Sequence, residues 1–242
     1  MIYQIQATVA NVARRMAVAA VDLLFPKRCV GCGDEGSFLC QSCRDELPIL
    51  EPPYCFLCAR PERLVLGLCS RCRGRPLEIE GIRSPYRMEG TVRSAVHALK
   101  YQGVRALAPT LGALLADYVS RNPMPVDALV PVPLFPRRER SRGYNQSALL
   151  AQAMGEVIDV PVENSALRRL RQTPPQASSA SEDERRSNVS GAFEAEAGLI
   201  QGRRIVVIDD VCTTGATLES CSIALRSAGA ESVWGLTLAL ET

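Results

Sequence analysis

The stretch VVIDDVCTTGATLES, residues 206–220, decides the fold of this chain. It begins with an apolar, β-branched run that is typical of a buried strand. Two adjacent carboxylates and a hydroxyl-rich turn follow, and the spacing of apolar residues then becomes helical. In sheets of parallel strands joined by helices, ligands bind beyond the carboxyl ends of the strands. The stretch therefore predicts an α/β fold with a ligand site where this strand meets its helix.

The flanking segments repeat the same alternation of strands and helices. Strands are predicted at Val126–Val132, Arg204–Ile208 and Val233–Leu240. Helices are predicted at Thr91–Lys100, Ala106–Val119, Gly143–Val157 and Thr217–Ala228. This order favours a mostly parallel sheet with helices on both faces.

The turn after the central strand offers donors to an anion. The backbone N–H groups of residues 213–217 fall at the start of the predicted helix, where unpaired donors and the positive end of the helix dipole favour a phosphate. Gly215 lets the backbone approach such a group closely. Hydroxyl donors are added by Thr213, Thr214 and Thr217.

The two carboxylates before this turn need a different partner. Asp209 and Asp210 would repel the anion that the turn binds, whereas carboxylates accept hydrogen bonds from vicinal hydroxyls. A molecule with hydroxyls on one side and a phosphate on the other satisfies both groups. The layout therefore predicts a ribose 5-phosphate ligand.

Eight of the ten cysteines form four C-x-x-C pairs. Two thiolates at this spacing can face one point about 2.3 Å away, the Zn–S distance, and two pairs complete a tetrahedral site. We predict two structural zinc sites, most simply with the pairs combined in chain order, although pairing of the first with the third stays open. A disulfide cluster is disfavoured because we expect no export signal. The predicted ligands are Cys29, Cys32, Cys40, Cys43, Cys55, Cys58, Cys69 and Cys72.

The start of the chain is predicted to form an amphipathic helix at 1–26, because apolar residues recur every three or four positions. Arg14 and Arg15 interrupt this stripe, so no run of about 20 uncharged residues could span a bilayer. The helix packs on the rest of the protein or binds a membrane surface or partner, and both options stay open. We expect a double zinc ribbon at 27–76 and an α/β domain at 77–242, in a cytoplasmic protein.

Charge gives a further, local indication of partners. The formal net charge of +2 favours no class of ligand, so any argument for an anionic partner depends on clustered arginines. The second half of the cysteine-rich segment is basic and could contact nucleic acid, or it could serve only as a structural or interaction module. Its arginines are Arg60, Arg63, Arg71, Arg73 and Arg75.

Further motifs extend the pattern along the chain. They are ALKYQG (98–103), PVPLFPRRERSRGYNQS (131–147), RRLRQTPPQ (168–176), ERRSNVSGAF (184–193) and GRRIVVIDDVCTTGAT (202–217). With the four C-x-x-C pairs, these motifs resemble the ComF family, and the likeness covers residues 22–242. ComF proteins are competence-associated, with a double zinc ribbon before a type I phosphoribosyltransferase-like domain. The resemblance implies a parallel sheet flanked by helices, preceded by that small ribbon.

The resemblance also implies a ligand and a reaction. The acids and the turn resemble the motif that binds phosphoribosyl pyrophosphate (PRPP), with Mg²⁺ bridging pyrophosphate and ribose oxygens. Phosphoribosyl transfer to an acceptor would release pyrophosphate. Relatives in the family are linked to DNA uptake or to the use of external DNA. The residues implied to bind PRPP are Asp209, Asp210, Val211, Cys212, Thr213, Thr214, Gly215, Ala216 and Thr217.

Other residues are implied to act around this ligand. Arg138, Arg142 and Lys100 are the pyrophosphate candidates, because forked guanidinium donors suit phosphate oxygens, but a solvated basic turn and a surface lysine are the alternatives. Residues 171–190 lack periodicity and form a lid or a disordered loop. Cys212 is expected either to fill a gap in the packing or to act as a nucleophile. His97 is expected either to have a structural role or to act as a general base. The lid residues are Arg171, Gln176 and Arg185.

Three functions follow from these observations. The first is a transferase that uses PRPP and an unidentified acceptor. The second is a DNA-handling protein that binds single strands through the zinc ribbon and basic loops. The third is a metabolite-responsive adaptor that recruits competence or DNA-processing proteins.

Overall fold

The computed structural model describes residues 26–74, 77–171 and 191–241. Within these residues the chain forms two compact units, which meet in sequence between Glu46 and Leu47. The predicted helix at 1–26 lies outside the described residues except for its last position, and so does most of the predicted lid, including Gln176 and Arg185. The predicted domain boundaries stay a prediction.

Secondary structure in the described residues is concentrated after residue 80. The strands are β1 (Gly81–Arg83), β2 (Tyr86–Arg87), β3 (Ala128–Pro131), β4 (Leu167–Arg169), β5 (Phe193–Ala195), β6 (Arg204–Cys212) and β7 (Ser232–Leu240). The helices are α1 (Gln41–Asp45), α2 (Gly90–Tyr101), α3 (Ala108–Arg121), α4 (Pro136–Arg142), α5 (Gln146–Ile158), α6 (Ala197–Ile200) and α7 (Ala216–Ser227), with a 3₁₀ turn at Arg105–Leu107. No helix in this part of the chain is both long and apolar enough to cross a bilayer.

A five-stranded parallel sheet forms the centre of the second unit. Its order is β1–β7–β6–β3, and β2 also pairs with β7. Residues 205–208 of β6 are buried on both faces, which explains why this central strand is an unbroken apolar run. The remaining pair, β4 and β5, is an antiparallel hairpin outside this sheet. The predicted parallel α/β fold is confirmed.

β6 is longer than the prediction, and this changes where the two acids lie. Pairing with β7 continues past Ile208 to the pairs Asp209 with Thr237 and Cys212 with Leu240. The acids therefore belong to the second half of the strand, and the ladder hydrogen bonds of β7 hold their backbone. The predicted end at Ile208 was wrong. The apolar pattern stops at the two carboxylates, but the pairing with β7 continues through them.

The basic segment before α5 also differs from the prediction. Residues 136–142 form helix α4, which has no buried residue and therefore no apolar stripe to reveal it. Gly143 ends α4 with a left-handed φ of 80°, a conformation that favours glycine. Helix α5 then begins at Gln146, not at Gly143, because the Asn145 side chain caps it by accepting a hydrogen bond from the Ser147 N–H at 3.0 Å.

Close helix packing orients α5 toward the end of β6. A Cβ atom placed on Gly112 of α3 would lie 2.5 Å from the Cβ of Ala153 in α5, so only glycine permits this approach. Leu150 and Met154 of α5 are fully buried beneath the contact. α5 is thus held by its apolar face, and its first turn is directed at the acids of β6.

Candidate functional site

The two acids at the end of β6 are contacted by the first turn of α5. Ser147 Oγ donates to Asp209 Oδ1 at 2.7 Å, and Gln146 Nε2 donates to Asp210 Oδ1 at 3.2 Å. The backbone N–H of Asp210 also donates to Asp209 Oδ1, at 2.9 Å. These contacts leave Asp210 only 3% exposed and Asp209 half-buried. Two carboxylates are therefore held side by side at the carboxyl end of the central strand.

A lysine from a third element completes this cluster. Lys100, at the end of α2, forms an ion pair with Asp210 Oδ2. Burial alone would lower the pKa of Lys100, but the charges of Asp210 and Asp209 outweigh it and raise that pKa. Burial, followed by the charge of Asp210, raises the pKa of Asp209 to about 7. The cluster thus attracts a cation and carries more negative charge at higher pH.

The predicted pyrophosphate arginines occupy different environments. Arg142 donates to Gln146 Oε1, so it reaches the same glutamine that contacts Asp210. Its guanidinium also lies 5.5 Å from the ring centroid of Tyr101. Arg138 lies on the exposed side of α4. The structure brings Lys100 to the acid pair and links Arg142 to it through Gln146, whereas Arg138 is exposed on the same helix as Arg142.

The basic helix is anchored by an aromatic residue beside it. The Tyr144 hydroxyl donates to the backbone carbonyl of Leu99, next to Lys100. The Arg105 guanidinium lies 4.4 Å from the Tyr144 ring centroid and donates to the carbonyl of Gly143 at 3.1 Å. The end of α2 and the turn between α4 and α5 are therefore held together.

The turn after β6 forms the start of α7. Gly215 caps the helix with φ 81°, and its carbonyl accepts the N–H of Glu219 at 2.9 Å. A Cβ on Gly215 would lie 2.8 Å from Ile82 Cδ1 of β1, so a side chain here would have to adopt a left-handed backbone conformation and displace that methyl group. Thr214 Oγ1 accepts the N–H of Ala216 at 3.4 Å. We call residues 213–217 the phosphate loop, after the group that its helix N-terminus favours.

The remaining predicted site residues differ in how deeply they are buried. Val211 is half-buried and Cys212 is buried, and burial raises the pKa of the Cys212 thiol to about 12. A thiol of that pKa stays protonated near neutral pH, which disfavours its role as a nucleophile. His97 lies on the exposed side of α2 with its ring 4.9 Å from that of Tyr101. Arg171 is exposed beside the hairpin of β4 and β5.

Several contacts at the site were not anticipated from sequence. No role was predicted for Gln146 or Ser147, although both lie in the quoted motif that ends at residue 147. The position of Arg60 was also missed: its guanidinium donates to the carbonyl of Thr213 in the phosphate loop. Neither kind of contact has a local sequence signal, because each joins segments far apart in the chain.

The cysteines form two separate clusters in chain order. In each cluster the four sulfurs lie within 4.8 Å of one another. The Sγ atoms of Cys29 and Cys40 are 3.6 Å apart, as are those of Cys58 and Cys69. Four thiolates about 2.3 Å from one zinc ion would have their sulfurs about 3.8 Å apart, so the geometry fits the metal. The two predicted zinc sites, combined in chain order, are confirmed.

In each cluster one thiol has a lowered pKa, whereas two others have a raised pKa. The Cys72 side chain, through a hydrogen bond, lowers the pKa of Cys58 to about 5 despite burial. Burial of Cys29 opposes ionisation, but backbone hydrogen bonds from Cys40, Cys32 and Gly31 outweigh it and lower its pKa to about 6. Since zinc binds the thiolate form, each cluster holds one cysteine prepared for metal binding.

Comparison with known families matches both parts of this architecture. The model of the double zinc ribbon domain matches residues 20–73, and the model of the phosphoribosyl transferase domain matches residues 145–239. The fold and site thus define a phosphoribosyltransferase-type α/β domain preceded by a double zinc ribbon.

Full-length relatives place the chain more closely. Competence protein F of Haemophilus influenzae is 30% identical over 230 residues, covering 89% of this chain and 98% of the relative. The DNA utilization protein YhgH of Salmonella typhi is 31% identical over 220 residues, covering 82% and 96%. Competence protein ComFC of Bacillus subtilis is 31% identical over 211 residues, covering 83% of each chain. The chain belongs to the ComF family, as the sequence motifs predicted.

Proposed function

We propose that the α/β domain binds PRPP, or a related ribose 5-phosphate, and transfers its phosphoribosyl group to an acceptor with release of pyrophosphate. One observation carries the proposal: Asp209 and Asp210 stand beside the phosphate loop, Lys100 pairs with Asp210, and Arg142 contacts the glutamine that donates to Asp210. Acceptors for hydroxyls and donors for phosphates therefore lie together at the end of one strand.

The acid pair would bind the ribose ring. Vicinal hydroxyls can donate to Asp209 and Asp210, whose carboxylates are already oriented by Ser147 and Gln146. Because these side chains are held in place before the ligand arrives, little conformational entropy is lost on binding. The 5-phosphate would lie against the N–H groups of the phosphate loop, which Gly215 allows it to approach.

The donor set also fits a divalent ion. Two carboxylates at the end of β6 are hard oxygen ligands, and Asp210 already pairs with the ammonium of Lys100, which is evidence that the cluster attracts cations. Mg²⁺ bound with the ligand would neutralise charge on the pyrophosphate oxygens. Asp209 and Asp210 would hold it, and Lys100 would turn from Asp210 toward the ligand's phosphates.

Departure of pyrophosphate would be assisted by cations of the chain itself. Arg142, at the end of α4, carries a forked donor suited to phosphate oxygens. Its contact with Gln146 places it beside the acid cluster, and Arg138 lies on the same helix one turn earlier. Positioning and charge stabilisation are therefore the chemistry that these residues supply.

Ligand binding tests the proposal directly. Purified protein should bind Mg²⁺·PRPP and ribose 5-phosphate by calorimetry and should melt at a higher temperature with either. Asp209→Asn/Asp210→Asn should abolish both effects. Asp117→Asn is the matched control, because Asp117 pairs with Arg121 on the exposed face of α3. Absence of binding by the unaltered protein would disprove the proposal. If the protein binds, pyrophosphate release from PRPP with a panel of bases and amines tests turnover.

A second function is supported by the surface of the second zinc cluster. Phe56 is 61% exposed, and Arg63 and Arg73 are exposed in the same module. Exposed aromatic rings stack on bases and arginines neutralise phosphates, so we propose that this module also binds single-stranded DNA. Relatives named for competence and DNA utilization agree with that role.

The DNA proposal has its own test. An oligothymidine should bind with an affinity that falls steeply with salt concentration, because arginines release condensed counterions. Phe56→Ala should weaken binding at every salt concentration, whereas Arg63→Ala/Arg73→Ala should also reduce the salt dependence. Ile49→Ala is the control, since Ile49 is 60% exposed but lies outside the module. Salt-independent or absent binding would contradict this function.

A further inference from the structure

The second zinc cluster is joined to the edge of the sheet beside the phosphate loop. The cluster contains a knuckle, residues 55–60, whose carbonyls face β1. The N–H of Ile82 donates to the carbonyl of Leu57 at 2.7 Å, and Arg83 Nη1 donates to the carbonyl of Phe56 at 2.7 Å. Ile82 is also the residue that packs against Gly215 of the phosphate loop. The knuckle and the loop therefore contact the same short strand.

The knuckle also determines where Arg60 points. Ala59 has a left-handed φ of 58° and is only 1% exposed, within the same apolar core as Ala216 at the start of α7. The N–H of Ala59 donates to the carbonyl of Cys55 at 2.9 Å, and the N–H of Cys55 donates to the carbonyl of Arg60 at 2.9 Å. Two hydrogen bonds and two predicted zinc ligands thus fix the backbone that leads to Arg60.

The Arg60 side chain reaches the phosphate loop itself. Its guanidinium donates to the backbone carbonyl of Thr213, and the residue is half-buried there. The arginine therefore holds the carbonyl of Thr213. The positive charge of Arg60 also lowers the pKa of the adjacent, buried Cys212, although burial dominates and keeps that pKa high. A fixed positive charge at this point favours an anion in the loop.

We infer that the second zinc cluster positions the phosphate loop for ligand binding, and that Arg60 is the positioning residue that links them. The inference depends on the proposed ribose 5-phosphate site and adds a metal-dependent support to it. Folding of the knuckle around its metal fixes the position of Arg60, and Arg60 fixes the position of the Thr213 carbonyl. The loop can then present its N–H groups to the phosphate.

Two measurements on the zinc-loaded full chain test this. The first is the affinity for ribose 5-phosphate by calorimetry. The second, which requires no ligand, is hydrogen exchange of the amides at residues 213–217. Arg60→Ala should weaken binding by about tenfold, as expected for loss of a hydrogen bond from a charged group, and should accelerate exchange in the loop. Arg60→Lys should restore much of both effects, since a lysine can donate to the same carbonyl.

A matched control is present in the first cluster. Arg44 donates through Nε to the carbonyl of Leu39 at 3.1 Å. Like Arg60, it is an arginine near a zinc cluster that binds a backbone carbonyl. Arg44→Ala should change neither the affinity for ribose 5-phosphate nor exchange in the phosphate loop. Metal content should be measured by native mass spectrometry for every variant.

The outcomes separate this inference from the proposed function. If the unaltered protein does not bind ribose 5-phosphate, the proposed function fails, and loop exchange in Arg60→Ala still decides whether Arg60 orders the loop. If Arg60→Ala binds and exchanges like the unaltered protein, the inference is overturned. Loss of zinc from both Arg60 variants would also overturn it, because Arg60 would then act on the cluster itself.

Discussion

Lys100 at the end of α2 forms an ion pair with Asp210 in the central strand β6, where the carboxylate is almost completely buried. The lysine side chain is 21% exposed and that of the aspartate 4%. This pair links helix α2 to the strand on which the candidate site is built. Its burial makes it a determinant of stability.

Removal of the lysine should therefore destabilise the protein. Lys100→Met leaves a buried carboxylate without its counter-ion, which should lower the free energy of unfolding by about 3 kcal/mol. Urea denaturation measures this loss. Arg121→Met, which breaks the exposed pair with Asp117, should have a much smaller effect. Equal losses for the two variants would contradict the importance of burial.

Asp209 should make stability depend on pH. Its folded pKa is about 7, above the ordinary value of about 3.9 for an unfolded aspartate. Between these values the folded protein binds more protons than the unfolded chain, so this residue's contribution to the free energy of unfolding falls as the pH rises from about 4 to about 7. In Asp209→Asn that contribution should be absent.

The measurement compares the unaltered protein and Asp209→Asn by urea denaturation, with zinc present, at several pH values in that interval. The difference between their free energies of unfolding isolates Asp209 from other titrating groups. It should shift in favour of the variant as the pH rises. A difference that stays constant would show that the carboxyl titrates at its ordinary pKa.

Gly215 should not tolerate a side chain. Gly215→Ala puts a Cβ at a left-handed φ of 81° and 2.8 Å from Ile82 Cδ1. The strain should lower stability by about 1–2 kcal/mol, and it should weaken ribose 5-phosphate binding because the loop must move. Thermal denaturation and calorimetry measure the two effects.

The control for this substitution is Gly198→Ala in α6. A Cβ there meets only Glu196 Oε1, at 4.0 Å, and the residue has no left-handed φ. Stability should be unchanged or slightly increased, because alanine restricts the unfolded chain more than glycine does. A similar loss at both positions would rule out a specific requirement at Gly215.

The two cysteine clusters should differ in what their loss does. Native mass spectrometry should find two zinc ions per chain, and either Cys32→Ala or Cys58→Ala should remove one. Cys58→Ala should also lower the melting temperature of the α/β domain, because its cluster belongs to the same compact unit as the sheet and is bonded to β1 through Leu57. Cys32→Ala should leave that transition in place. A chain that retains two ions in either variant would contradict the ligand assignment.

Local sequence was a good guide to long or strongly patterned elements and a poor one elsewhere. The strands β3, β6 and β7 were predicted because a parallel strand that is covered on both faces must be apolar. The helix α4 was missed because nothing in it is buried, so it has no apolar stripe. The strands β1 and β2, of three and two residues, are stabilised by pairing with β7, and they are too short to show a period of their own.

What the sequence determined by itself is the set of chemical groups and their local geometry. Two acids, a hydroxyl-rich turn with one glycine, and four C-x-x-C pairs predict a sugar phosphate site and two zinc sites, because the relevant spacings lie within one turn of chain. Tertiary structure alone decided which distant residues complete the site. Lys100, Gln146 and Arg60 come from three separate segments, and only the packing of α2, α5 and the zinc knuckle around one strand end brings them to Asp210 and Thr213. Such contacts depend on how buried surfaces fit together, and short-range pattern carries no information about that fit.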